Sequence, residues 1–417
     1  MGLNLLSSSS RVETPFIIAT IAGVTFGAYS KESKNVINSS GVYKKVLTKY
    51  PNFMDSLTIT KINGALNTYT LTMRYMITEN DDPNLLEKVF SKAKDDRTIT
   101  LSYGDLSIPS YVYKEEQALI TDIRSNIDTN SSCITYTISC ISKALNMNAG
   151  NYNFPKVHAK PSDIIKKYLY DARYGLLEIF YGMSDKEKVL AQGLIASDDR
   201  AVDIEAKKNT SLLKYLEYLV SCMSNISDSP NSILRNNKYV LTVYDDITNI
   251  WGGPYFKVNK MSTTITSDSL DTYEIDIGYP GQNKVINFNV DDNQAYSILY
   301  DYSGKINQSD HVYRINNNGE ITYDYSPTLS NSSELLRTTE ADKGWWTTVT
   351  QYPITATLTI QGLVRPSILM TYIKLNVLFF GRKHISSGYY IITKQVDQIN
   401  AAGYKTTLSL TRIGAAD

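Results

Sequence analysis

Asn67–Tyr75 reads NTYTLTMRY, and Asp271–Tyr279 reads DTYEIDIGY. The two stretches align without a gap, and they share a Thr-Tyr pair, a final Tyr and apolar positions between them. Polar and apolar residues alternate, which is typical of a β-strand with one buried face. The alignment therefore predicts that one strand of the fold occurs twice. The residues that define the duplicated strand are Tyr69, Leu71, Met73, Tyr75, Tyr273, Ile275, Ile277 and Tyr279.

Further segments repeat in the same order along the chain. They are Leu57–Ile62 with Phe256–Met261, and Ile120–Thr121 plus Tyr136–Cys140 with Ile392–Thr393 plus Thr406–Leu410. Strands draw on few residue types, so composition alone can produce a single match of this kind. Several matches in one order favour an internal duplication. In the closing strand, the residues assigned to the repeat are Tyr404, Leu408 and Leu410.

The hydrophobic period changes along the chain and predicts an α+β, mainly β fold. Period-two runs fill both ends, and Pro15–Tyr29 is predicted to be buried strand. The middle has helical periodicity, with a helix opened by Lys160-Pro-Ser-Asp163, a capping box at Ser184–Glu187 and an apolar stripe along Thr210–Met223. We predict two related tube-type β-barrel domains with a helical insert and a loop-rich insertion. The boundaries are 1–150 for the first tube-like domain, 151–235 for the helical insert, 236–290 plus 345–417 for the second tube-like domain, and 291–344 for the insertion.

Composition narrows the function classes. The 417 residues include 42 Lys plus Arg and 42 Asp plus Glu, so the formal charge is zero and a DNA-reading role is disfavoured. The cysteines Cys133, Cys140 and Cys222 indicate neither a disulfide framework nor a zinc site. No stretch has the length of a membrane span or the layout of a signal peptide, so we expect a soluble chain without membrane insertion.

A search for catalytic motifs predicts no catalytic, cofactor-binding or metal-binding residue, and no cofactor. The histidines His158, His311 and His384 are far apart and lack a metal-ligand spacing. Acidic doublets leave a calcium or glycosidase interpretation open, although Asp also serves turns and caps. The doublets are Asp81–Asp82, Asp95–Asp96, Asp198–Asp199, Asp245–Asp246 and Asp291–Asp292.

The closing segment carries a family resemblance. Gly388–Asp397 reads GYYIITKQVD, a short turn passes through Ala401-Ala402-Gly403, and Tyr404–Arg412 reads YKTTLSLTR. This hairpin, together with a helical insert near Pro161 and at Leu212–Met223, resembles the central baseplate hub proteins of contractile-tailed bacteriophages. The insertion at 291–344 has no counterpart in that pattern.

The resemblance implies a structural virion protein rather than an enzyme. Such hubs are homotrimers in which two tube-like domains per chain form a pseudo-sixfold ring. The ring would adapt a threefold central spike to the sixfold tail tube or its initiator, contact other baseplate proteins, and let genome DNA pass without specific binding. The expected location is the tail baseplate of the virion, after assembly in the host cytoplasm.

Two other functions stay open at the sequence level. A tail-associated peptidoglycan hydrolase would place catalytic carboxylates in the Asp-rich loops or in the helical insert. A receptor- or carbohydrate-binding tail module would use exposed aromatic residues, with Trp345–Trp346 as candidates.

Overall fold

The structure is a computed structural model of the chain. It describes residues 15–27, 35–37, 43–45, 50–51, 54–62, 65–79, 82–93, 97–105, 114–128, 130–169, 193–223, 239–246, 255–260, 271–276, 285–292, 312–315, 321–324, 354–362, 369, 371–384 and 386–415.

The helices are α1 (Leu85–Lys92), α2 (Pro161–Leu169) and α3 (Leu212–Met223), with a 3-10 helix at Lys143–Asn148. The strands up to the middle of the chain are β1 (Pro15–Ile21), β2 (Val24–Gly27), β3 (Asn35–Ile37), β4 (Tyr43–Lys45), β5 (Tyr50–Pro51), β6 (Met54–Ile62), β7 (Thr68–Met76), β8 (Thr98–Asp105), β9 (Lys114–Asp128), β10 (Cys133–Ser142), β11 (Tyr152–Phe154), β12 (Val157–Ala159), β13 (Val202–Ile204) and β14 (Lys207–Thr210). The remaining strands are β15 (Tyr239–Tyr244), β16 (Tyr255–Lys260), β17 (Asp271–Asp276), β18 (Val285–Asp292), β19 (Val312–Ile315), β20 (Ile321–Asp324), β21 (Ile354–Gln361), β22 (Tyr372–Phe379), β23 (Arg382–Lys383), β24 (Gly388–Asn400) and β25 (Gly403–Ala415).

One 15-stranded sheet dominates the fold. Its main path runs β18-β21-β25-β24-β6-β7-β10-β9-β8-β1-β2-β5, and β22 joins it beside β24 with β17 and β23 as further neighbours. Nearly all pairs are antiparallel; the described exceptions are β2 with β5 and β17 with β22. The mainly β, α+β fold class is confirmed.

The sheet contains the same strand order twice. In the first unit, which we define as β6 to β10, neighbouring strands follow the order β6-β7-β10-β9-β8. In the second unit, defined as β18, β21, β22, β24 and β25, the order is β18-β21-β25-β24-β22. We number the five strands of each unit from one to five in chain order. Across the sheet, both units then have the strand order 1-2-5-4-3. The internal duplication is a property of the sheet as well as of the sequence.

Bulges in β9 and β24 fix how the two units align. Thr121 is skipped where β9 pairs with β10, and Thr393 is skipped where β24 pairs with β25. Each bulged threonine donates its hydroxyl to a carbonyl on the neighbouring strand, Thr121 Oγ1 to Ser139 O at 2.9 Å and Thr393 Oγ1 to Ser409 O at 3.1 Å. The predicted match of Ile120–Thr121 and Tyr136–Cys140 with their second-half segments is therefore confirmed in register.

The other strands extend this alignment. Asp55 bulges where β6 meets β7, and Ile286 bulges at the corresponding place where β18 meets β21. When the two units are superimposed by this register, Thr68–Met73, which reads TYTLTM, aligns with Thr355–Ile360, which reads TATLTI. The counterpart of β7 is therefore β21, and the counterpart of β6 is β18.

This alignment replaces the one inferred from Asp271–Tyr279. Tyr273 and Ile275 lie in β17, which runs parallel to β22 on its outer side, whereas Ile277 and Tyr279 lie outside the described residues. Phe256–Met261 corresponds to β16, which pairs only with β15 among the described strands. The mismatch arose because Thr and Tyr alternate in strands of several kinds.

Within the predicted strand Pro15–Tyr29, the described residues 15–27 form a hairpin rather than one strand. Ala22 and Gly23 have positive φ angles of 48° and 77°, the backbone of a two-residue type I′ turn, so β1 folds back on β2.

Buried apolar residues form three cores. The first core lies under the first unit and is closed by Ile399 and Tyr404 of the second unit. The second core lies under β21, β22, β24 and β25. The third core joins α2 and α3 to short strands and β15–β16, with Phe154 stacked on Tyr215 at a ring distance of 3.7 Å.

The helices predicted after Lys160 and along Thr210–Met223 are present as α2 and α3. The capping box at Ser184–Glu187 lies outside the described residues, as does most of the insertion at 291–344, where β19 and β20 form a hairpin. The four domain boundaries and the closure of each unit into a tube stay predictions.

We predict that Gly362→Ala destabilises the chain by about 1–3 kcal/mol, the usual cost of overpacking. A Cβ atom on Gly362 would overlap the ring of Tyr404, which is fully buried and whose carbonyl accepts from Gly362 N at 2.8 Å. The measurement is the free energy of unfolding in urea. The matched control is Gly150→Ala, whose Cβ would meet the hydroxyl end of half-buried Tyr152, a group that can turn away. Equal effects of the two substitutions would contradict the prediction.

Candidate functional site

The two units meet where β6 pairs with β24. β24 pairs with β22 through Gly388–Ile391 and with β6 through Lys394–Asn400, so the bulge at Thr393 lies where the strand changes its neighbour. Bulges increase local twist and redirect a strand, which suits this position. We call the β6–β24 contact the joint.

The joint is fully buried on its core side. Ile399 is opposite Leu57, and Asp397 is opposite Ile59; all four side chains are buried. Asp397 receives hydrogen bonds from Thr406 Oγ1 at 2.6 Å and from Gln395 Nε2 at 2.9 Å. Buried polar groups are tolerated when they are hydrogen-bonded, so the polar residues do not weaken the joint.

A second group of buried polar residues lies beside the joint. Lys61, which is opposite Gln395, forms an ion pair with Glu116 of β9 at 3.0 Å, and both side chains are 2% exposed. Tyr69 lies between two carboxylates, with its hydroxyl oxygen 2.8 Å from Glu116 Oε2 and 2.9 Å from Asp245 Oδ2. We call Lys61, Glu116, Tyr69 and Asp245 the polar cluster.

Asp245 connects the polar cluster to the third core. It follows β15, a strand that packs on the third core, and its side chain accepts from Asn67 Nδ2 at 2.8 Å and Ser142 Oγ at 2.6 Å. Its backbone carbonyl also accepts from Gln117 N at 3.1 Å. Through this residue the first unit, the joint and the β15–β16 hairpin are bonded together.

The polar cluster requires a proton in addition to that of Tyr69. One hydroxyl can donate to only one of the two carboxylates that it contacts, so the other contact is best made by a protonated carboxyl group. Burial raises the pKa of Asp245 to about 6, with a further contribution from the nearby charge of Glu116. Burial likewise raises the pKa of Tyr69 well above its ordinary value, so the phenol keeps its proton.

The second half of β9 is an open edge. β8 pairs with β9 only up to Leu119, and from Thr121 to Asp128 no described strand lies on that side. Ile127 is opposite Ile134, whose side chain faces the first core, but Ile127 is 66% exposed. Its counterpart in the second unit is Ile399, which β6 covers and which is only 1% exposed.

β18, which begins the main path, has a second open edge among the described strands. Val290 is opposite buried Ala356 yet is 39% exposed, and its counterpart Ile59 is fully buried at the joint. Phe288 is half-buried against the second core. Described large apolar residues with exposed side chains are Ile62, Met76, Ile127, Ile286, Val290, Phe379 and Phe380.

Several residues of the described acidic doublets make structural contacts. Asp199 accepts from the backbone N and the hydroxyl of Ser162 at the start of α2, at 2.8 and 2.6 Å. Asp198 accepts from Tyr239, and Asp82 binds Lys88 near α1. Asp81 and the doublet Asp95–Asp96 lie outside the described residues. These contacts match the turn and capping roles of Asp.

The two described histidines have separate partners. His158 contacts Asp203 on an exposed hairpin, His384 contacts Ser386, and His311 lies outside the described residues. No group of three or more His, Cys, Asp or Glu within the described ranges could hold a metal ion. Among the same residues, no helix is long and apolar enough to cross a membrane.

Seven of the predicted strand residues lie in strands that belong to the repeated units. Tyr69, Leu71, Met73 and Tyr75 lie buried in β7, and Tyr404, Leu408 and Leu410 lie buried in β25, so both groups belong to the repeated strands. No sequence motif singles out Lys61 or Glu116, and Asp245 stands out only as one member of an acidic doublet. Their separation along the chain leaves no local pattern that could identify them.

Comparisons with known proteins give structural likenesses only. No protein-family model matches the chain, and no curated protein matches it. A 43 kDa tail protein of prophage MuSo2 from Shewanella oneidensis is 10% identical, with a TM-score of 0.47 over 96% of this chain and 98% of that chain. A tail protein from Neisseria meningitidis MC58 is 8% identical, with a TM-score of 0.48 over 95% and 96%. The E. coli protein c3393, a type VI secretion component described as similar to T4 bacteriophage tail proteins, is 9% identical, with a TM-score of 0.46 over 87% and 74%.

We predict that Asp245→Asn removes one pH-dependent part of the stability. Because the pKa of Asp245 is about 6 in the folded chain and about 4 when unfolded, its stabilising contribution is complete below pH 4 and is lost as the pH rises through 6. A shift of about 2 units corresponds to about 3 kcal/mol. Wild type should therefore lose about that much, relative to Asp245→Asn, between pH 4 and pH 7.

The measurement is urea unfolding at several pH values in that window. Glu274→Gln, a change at an exposed carboxylate on β17, serves as the control and should follow the wild-type profile. Parallel profiles for wild type and Asp245→Asn would show that the Asp245 proton does not contribute.

Proposed function

We propose that the chain is a structural subunit of the tail of a contractile-tailed phage, and that it forms the trimeric baseplate hub. The observation that supports this proposal is the strand order that occurs twice in one sheet, with bulges at Thr121 and Thr393 in the same register. The closing hairpin at Gly388–Arg412 adds the family resemblance described from the sequence.

A duplicated chain is suited to a change of symmetry. The two units follow one another in the sheet in the same orientation, first β18 to β22 and then β6 to β8, so their relation is head to tail rather than twofold. Head-to-tail contacts generate rings when the rotation closes. Three chains with two similar units each would present six similar sectors to a sixfold tail tube or its initiator, and three identical chains to a threefold spike.

The charge of the chain is compatible with a channel. Its formal net charge is zero, with 42 basic and 42 acidic residues. A protein that neutralises many phosphates binds DNA tightly, whereas a passage for the genome must release it. In the proposed ring, DNA passes without specific binding, and the spike, tube and other baseplate proteins are the partners.

We propose a non-enzymatic role for the chain. The described doublet residues Asp82, Asp198, Asp199 and Asp245 all accept hydrogen bonds from other residues of the chain. No described contact favours the hydrolase or the carbohydrate-binding alternative, and Trp345–Trp346 lie outside the described residues.

We predict that the purified chain, at tens of micromolar, forms a particle of about 140 kDa, three times the chain mass of 46.8 kDa. Native mass spectrometry measures the mass, and class averages of negatively stained particles should show a projection with six similar lobes. A chain that remains monomeric would contradict the proposal. A trimer in which the two lobes of each chain look different would contradict it as well.

The purified chain should also leave peptidoglycan intact in a turbidity assay. Cleavage that is lost on substitution of a single Asp or Glu would replace the structural role with the hydrolase alternative. Tight glycan binding by a monomer would instead favour the carbohydrate-binding module.

A further inference from the structure

We propose that copies of the chain join by adding β18 of one copy to the second half of β9 of the next, in the register of the internal joint. This inference rests on the proposed ring and names the surfaces that would form it. The partner is therefore a second copy of this chain, and the contact is a continuous antiparallel sheet.

The internal joint supplies the geometry. It pairs the second half of β24, the fourth strand of the second unit in chain order, with β6, the first strand of the first unit. The strand that corresponds to β24 is β9, and the strand that corresponds to β6 is β18. Both of these strands have an open side in the described chain, so each unit end lacks the neighbour that its counterpart has.

The shared bulges set the register between copies. Thr121 aligns with Thr393, and Asp55 aligns with Ile286. In this register, Ile127 of one copy would pair with Phe288 of the next, as Ile399 pairs with Leu57 within the chain. Ser125 would pair with Val290 of the next copy, as Asp397 pairs with Ile59.

The exposure of the side chains agrees with this register. Ile127 is 66% exposed and Val290 is 39% exposed, whereas their counterparts Ile399 and Ile59 are 1% and 0% exposed. Each exposed residue lies on the core-facing side of its strand, opposite a buried residue of its own unit. No described strand covers either residue on this side, and the proposed contact would extend the first core of one copy to the second core of the next.

An unpaired strand edge tends to form hydrogen bonds with another strand. Its free N–H and C=O groups template pairing with another chain, and natural proteins usually block such edges. In this chain one open edge ends the first unit and the other begins the second. Pairing them uses both, whereas pairing β9 with β9 of a second copy would leave β18 open.

Disulfide trapping tests the register. In the variant Ser125→Cys/Val290→Cys, the new cysteines would lie directly opposite each other between copies, and antiparallel partners have Cα separations that a disulfide can span. The native cysteines Cys133, Cys140 and Cys222 are free and buried, so they contribute little to oxidation. Oxidation should convert most of the chain to a covalent trimer on a non-reducing gel.

Two controls separate this register from other contacts. Asn289 neighbours Val290 on β18 and faces the opposite side of the sheet, so Ser125→Cys/Asn289→Cys should stay uncrosslinked. Ser125→Cys alone should also stay monomeric on the gel. A covalent dimer of that single variant would show twofold pairing of β9 and overturn the proposal.

A charge on the contact tests its strength. Ile127→Asp would place a carboxylate in the buried centre of the joined strands, and the dissociation constant of the trimer should rise by a factor on the order of 10². The matched control is Met76→Asp, because Met76 is 67% exposed on nearby β7 but faces the other side of the sheet. Sedimentation velocity over a concentration series measures both, with circular dichroism to verify folding.

The outcomes distinguish this inference from the proposed function. A trimer that forms without the Ser125–Val290 crosslink, or that tolerates Ile127→Asp, overturns the contact and leaves the hub proposal standing. A crosslinked ladder that continues beyond three chains supports the contact and overturns the trimeric ring. A chain that neither crosslinks nor associates overturns both.

Discussion

The architecture depends on the need of every strand edge in a sheet to have its backbone polar groups paired. β24 meets this need with two neighbours in succession, β22 along its first part and β6 along its second. The bulge at Thr393 makes the change possible because it redirects the strand after Ile392. The joint that results closes the first core, since Ile399 and Tyr404 are buried among residues of the first unit.

Part of this arrangement could be read from the sequence. The threonines that form the bulges follow isoleucine in both halves, and Ser139 and Ser409 are their hydroxyl acceptors, 18 and 16 residues further on. The match of Ile120–Thr121 and Tyr136–Cys140 with Ile392–Thr393 and Thr406–Leu410 therefore carried real positional information. The match of Asn67–Tyr75 with Asp271–Tyr279 did not, because a Thr-Tyr pair suits any half-buried strand. The run TxTLT, present at both Thr68 and Thr355, was the better guide, and the long insertion between β18 and β21 concealed it.

The polar cluster could not be predicted in the same way. Lys61 and Glu116 read as solvated charges on alternating strands, since such residues are rarely buried unless paired. Only the fold shows that they are paired, because β24 covers β6 and Asp245 arrives from β15. The buried hydrogen bonds of Asp245 thereby connect parts of the chain whose apolar cores are otherwise distinct. A local sequence pattern predicts which face of a strand is buried. It cannot predict which remote carboxylates will contact the hydroxyl group of Tyr69.

The joint within the chain has a kinetic consequence for the proposed ring. Its two strands belong to one chain, so their pairing does not depend on the protein concentration. A contact between copies depends instead on how much protein the cell has made. The two-unit chain is thus the smallest block that can be added, and ring growth would proceed by pairs of sectors. Only three such blocks could then yield a ring whose exact symmetry is three while its apparent symmetry is six.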